Sequence, residues 1–84
     1  MPRYFFHTED GARLPDTEGS ELPDDRTARN EAVAVLGQMM TEDPAGFWAH
    51  GTFRLIVTDA AGQTLCGLEL NATVPPTVGG PAAR

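Results

Sequence analysis

Along the chain, apolar and polar residues change period several times, and each change marks an element. Arg3-Tyr4-Phe5-Phe6-His7-Thr8 is dense in aromatic side chains that suit a pleated, half-buried surface, and Asp10-Gly11 follows as a turn signal. Ala12 to Leu14 returns as a short second strand. It ends at Pro15, which has no N–H to give to a ladder. Asp16 to Glu21 is polar, contains Gly19, and is expected to be a connecting loop.

The period then lengthens. Ala28, Ala32, Val35, Leu36 and Met39 recur at three- and four-residue spacing, which puts them on one helix face, with Arg29, Glu31 and Gln38 largely elsewhere. Leu22-Pro23-Asp24-Asp25 opens this helix: Asp24 can accept from orphan N–H groups, and both acids suit the positive end of the dipole. Gly37 weakens the helix, and the expected compensation is close approach to a strand. Asp43-Pro44 stops it. Ala45 to Gly51 is expected to be a loop carrying Phe47, Trp48 and His50.

Thr52 to Thr58 alternates, with Phe53, Leu55 and Val57 on one face and Arg54, Ile56 and Thr58 on the other. Asp59 to Gly62 supplies a turn, and Gln63 to Leu70 returns with Cys66, Leu68 and Leu70 on one face. The elements predict an α+β fold of order ββαββ, with one helix packed on a short antiparallel four-stranded sheet. If the first strand lies beside the third, all neighbours are antiparallel and the order is 2-1-3-4. One sheet face and both edges are then left without cover. Residues 1–72 are expected to form a single domain. Residues 73–84, with Pro75-Pro76 and Gly79-Gly80-Pro81, are expected to be a disordered tail, too poor in large apolar groups to offset their ordering entropy.

The chain has 84 residues and a formal charge of −6, from 12 acids against 6 bases, and every base is Arg. A phosphate-binding surface needs a basic stripe, so nucleic acid and anionic membranes are disfavoured as partners. No apolar run is long enough to span a bilayer, and Met1 to Thr8 shows no apolar leader pattern. The single Cys66 agrees with a reducing compartment, so a cytoplasmic location is expected.

Candidate chemistry is sparse. Glu9, Asp10, Asp16, Glu18, Glu21, Asp24 and Asp25 crowd the first third of the chain, and oxygen-rich clusters can bind calcium or magnesium. The segment from Asp16 to Asp25 is thus the candidate divalent-metal or ligand loop, with His7 as an added ligand, although it lacks the EF-hand register. A solvated acidic edge with helix-capping acids accounts for the same residues without a metal. Cys66 alternates with Leu68 and Leu70, as a buried inert thiol would. Ser20, the one serine, has no histidine nearby in sequence, no Lys exists for a Schiff base, and no glycine-rich phosphate loop stands between a strand and a helix. No catalytic residue, cofactor or metal ligand is assigned, and an enzyme is not expected.

Phe47 and Trp48 either cap the core by packing over the helix end, the preferred reading, or project as interface anchors together with Ile56. Exposure of Trp48 decides between the two. A small core and an uncovered sheet face favour a protein-interaction or regulatory module that acts as a homodimer, a larger homo-oligomer or a small subunit.

Pro2-Arg3-Tyr4-Phe5-Phe6-His7, then Asp10-Gly11, then Asp16-Thr17-Glu18-Gly19-Ser20-Glu21-Leu22-Pro23-Asp24, then Ala28-Arg29-Asn30-Glu31-Ala32 resemble a family of short bacterial proteins classed only as a domain of unknown function. Val57-Thr58-Asp59 with Gly62 fits its second hairpin. The resemblance covers roughly Met1 to Leu70. It implies a compact α+β domain in the bacterial cytoplasm and carries over no activity, ligand or catalytic residue.

Overall fold

A computed structural model describes residues 1–75. Their element order is β1 (Arg3–Glu9), β2 (Arg13–Leu14), β3 (Ser20–Glu21), α1 (Asp25–Glu42), α2 (Pro44–His50), β4 (Thr52–Asp59) and β5 (Thr64–Asn71). The strands form one antiparallel sheet of order β2-β1-β4-β5, with β3 also paired to β1. The class is α+β, and β1 beside β4 gives the expected neighbours.

Period-2 alternation sends Phe53, Leu55 and Val57 to one face of β4, where they are fully buried. Directly opposite them stand Phe6 and Thr8 on β1 and Cys66, Leu68 and Leu70 on β5, so the three long strands present a common apolar face. Helix α1 lays Ala28 and Ala32 on it, with Val35, Leu36 and Met39 packed around the same cluster. The two alanines let the helix axis approach the sheet closely. Each large side chain buried there contributes about 1.5–3 kcal/mol.

Helix α1 begins as expected. The Asp24 carboxylate accepts from the Thr27 amide at 2.8 Å and from the Thr27 hydroxyl at 2.7 Å. These bonds hold its carboxyl below the ordinary range, the amide contributing most.

Three expectations are corrected. The segment after Pro44 is a helix: Asp43 caps it by accepting from the Gly46 amide at 3.0 Å, Pro44 takes the first turn, and Gly51 ends it at φ +77°. Asp-Pro is a stop for one helix and a start for the next. Second, Ser20–Glu21 is a short strand: Arg3 pairs with Glu21 and Tyr4 with Ser20. Third, Gly37 approaches no strand, for a Cβ built there meets nothing within 4 Å.

Residues 72–75 carry no regular element. The expected tail lies, from residue 76 onward, outside the described residues.

Candidate functional site

The region with the densest polar geometry is the acidic segment after β2, seated against β1. Strand β2 pairs with Thr8 and Glu9 and strand β3 with Arg3 and Tyr4, which leaves a gap in the ladder between them. Asp16 fills it. Its Oδ2 accepts the Phe6 amide at 3.1 Å, and its Oδ1 accepts the amides of Glu18 and Gly19, each at 3.1 Å. Burial pushes this carboxyl up, but the amides of Gly19, Phe6 and Glu18 outweigh it, and the net displacement is downward.

His7 is built into the same structure. Its Nδ1 accepts the Asp16 amide at 3.0 Å, which assigns the proton of the neutral ring to Nε2, and Nε2–H donates to Thr58 Oγ1 at 2.9 Å. Both ring nitrogens are therefore engaged. Arg3 completes the clamp by donating to the Glu18 carbonyl at 2.7 Å and to the Glu21 carboxylate at 3.0 Å. Gly19 sits at φ +73°, and a Cβ there would fall 2.9 Å from the Tyr4 carbonyl oxygen and from the Phe5 ring.

Asp16 and Asp24 thus meet backbone amides, Glu21 meets Arg3 and Glu9 meets Arg54, while the buried Oδ1 of Asp10 has no partner among the described residues. Asp25 accepts the Tyr4 hydroxyl at 2.7 Å, a bond that, with burial second, pushes that hydroxyl up to about 12. Among the described residues no three His, Cys, Asp or Glu side chains converge to hold a metal ion.

The Phe47-Trp48 pair splits. Phe47 enters the core, as the preferred core-capping reading has it and not as the alternative interface reading does, while Trp48 is 59% exposed and meets Phe47 edge to face. Ile56 is half-buried on the sheet face that no helix covers. Cys66 is half-buried, and burial pushes its thiol up, opposed by Arg29.

The uncovered face has two parts. Over Phe5 and His7 it is overlaid by the Pro15 to Gly19 segment. Over β4 and β5 it is open, with Ile56 beside Gly67 and a charge ladder in which Arg54 reaches Glu69 at 2.8 Å and Glu9 at 3.6 Å. A shallow depression of about 280 Å³ lies at its end, lined by Glu9, Gly11, Thr52 and Arg54. Its guanidinium is already held by two carboxylates, so it offers no free cation.

Sequence reasoning placed His7 correctly in a strand but missed Asp16 as the residue that completes a ladder. No local pattern gives it, because the contact depends on the chain returning to β1 through the Gly19 turn.

The fold and this polar clamp define a small α+β domain with a one-sided sheet. The family model for a domain of unknown function, DUF6894, matches residues 3–71, and the chain belongs to that family. Comparison with curated proteins and with solved structures returned no match. No described helix is long and apolar enough to cross a membrane.

Proposed function

We propose that this chain is a non-enzymatic, cytoplasmic protein-interaction module that acts by self-association or as a small subunit. The supporting observation is the one-sided cover of the sheet. Both helices lie on the face of Phe53, Leu55 and Val57, while Ile56 and Gly67 stand on the bare half of the other face. Single exposed apolar residues such as Trp48 are ordinary, but a bare half-sheet that runs out to a free edge is a surface a partner can complete.

Self-association makes the unfolding midpoint depend on protein concentration. Sedimentation velocity over a wide concentration range is expected to show a dimer or larger species, and thermal scans a midpoint that rises with concentration. A monomer throughout removes self-association from this reading and leaves only a different partner.

A further inference from the structure

The sheet treats its two edges differently. On the β1 side the outward amides of Tyr4 and Thr8 belong to the β3 and β2 ladders, and the one between them, Phe6, is taken by the Asp16 carboxylate. That edge is closed. On the other side, no described residue pairs with the outer edge of β5, a strand of 8 residues without Pro.

The phase of β5 follows from the bonds at its two ends. Ala72 N–H donates to the Gly51 carbonyl at 2.8 Å and Asp59 N–H to the Gln63 carbonyl at 2.9 Å. Alternation then turns the amide groups of Cys66, Leu68 and Leu70 toward β4, and those of Gly67, Glu69 and Asn71 outward.

Resting on the self-association reading, we infer that the partner is a second copy of this chain, joined antiparallel through β5 about a two-fold axis at Leu68. Parity allows an axis at any residue of β5, and among the three around the centre of the regular stretch from Cys66 to Leu70 the side chains choose. An axis at Glu69 sets that carboxylate opposite its own copy. An axis at Gly67 drives Glu69 onto Leu65, the extra residue where the β4–β5 register shifts. An axis at Leu68 pairs the regular stretch from Cys66 to Leu70 in full.

In that register the outward groups of Gly67 bond those of Glu69 in the second copy. On the helix-covered face Leu68 meets Leu68, and Cys66 meets Leu70, which is 36% exposed in the single chain. On the other face Glu69 lies opposite a glycine and keeps its own Arg54, at 2.8 Å. Like charges directly opposite are thereby avoided.

Two measurements test this. A Cβ at Gly67 meets only ordinary contacts, the Leu55 carbonyl oxygen at 3.9 Å and Ile56 Cγ1 at 4.0 Å, so the single chain tolerates a side chain there. Gly67→Asp is expected to weaken dimerisation and Gly67→Lys to tighten it, each by about 3- to 30-fold, because symmetry repeats the pair. Circular dichroism checks that both variants keep the fold.

Second, Leu70→Cys stands opposite native Cys66 of the other copy in a non-hydrogen-bonded pair, where Cα atoms about 4.5 Å apart fall within disulfide range. Mild oxidation is expected to cross-link the dimer. If both Gly67 variants weaken the dimer alike, Gly67 faces itself and the register is overturned. A dimer that ignores both variants and does not cross-link overturns the β5 interface while self-association stands. A monomer at every concentration overturns both.

Discussion

The Asp16 carboxylate accepts the Phe6 amide at 3.1 Å and so supplies, from a side chain, the bond that a neighbouring strand would otherwise make. Replacing Asp16 with Ala strands that amide and those of Glu18 and Gly19. Asp16→Ala is expected to cost about 1–3 kcal/mol, measured by urea unfolding. The carboxyl sits below its ordinary 3.8 in the folded chain, so its contribution is present above that value and is lost as pH falls through the lower folded value. Asp16→Asn, which cannot titrate, should remove that part of the acid-side slope.

Gly19 answers a different question about the same segment. An alanine there meets both an unfavourable φ and the Tyr4 carbonyl oxygen, and a loss of about 1–3 kcal/mol is expected. Asn tolerates positive φ but carries the same Cβ. If Gly19→Asn is as damaging as Gly19→Ala, the close approach decides; if Asn is accepted, the backbone angle does.

These contacts explain which parts of the fold were legible in sequence. Helix α1, β4 and β5 declare themselves because their periods repeat over many residues and because Asp24 and Pro44 punctuate them. Strand β3 does not, since two residues carry no period and their pairing depends on Gly19 returning the chain to Arg3 and Tyr4. Helix α2 was hidden because Pro44 was read as an end, although Asp43 before it and Gly51 after it are a start and a stop. The role of Asp16 is a contact across 10 residues of sequence, which no local pattern encodes.

Tyr4 provides a probe on the alkaline side. Its neutral hydroxyl donates to Asp25, and its value is pushed from 10.0 to about 12. Because the folded value is the higher one, this contribution is full below about pH 10 and is lost as pH rises toward 12. Wild-type stability should therefore fall across that interval more steeply than that of Tyr4→Phe. Equal slopes would mean that the hydroxyl is not held by Asp25 in solution.

Gly37 lies in the interior of α1, exposed, and with nothing within 4 Å of the position a Cβ would take. Gly37→Ala removes chain freedom from the unfolded state and adds no clash. A gain of about 0.5–1 kcal/mol is expected by urea unfolding. A loss would show that this turn of the helix has a close neighbour in solution.

The last contrast tests which face of β4 carries the fold. Leu55 and Ile56 are adjacent in sequence and differ only in branching, yet Leu55 is fully buried under the helix and Ile56 is half-buried on the bare face. Leu55→Ala should cost about 2–5 kcal/mol, because the removed atoms leave a cavity that the close-packed Ala28 and Ala32 cannot fill. Ile56→Ala leaves an open surface and should cost only about 0.5–1.5 kcal/mol at low protein concentration. The β5 edge dimer lengthens the sheet without covering this face, so the costs of Ile56→Ala and Leu55→Ala should both stay near their starting values as concentration rises. A cost of Ile56→Ala that grows with concentration while that of Leu55→Ala does not would place the partner on the bare face and not at the β5 edge.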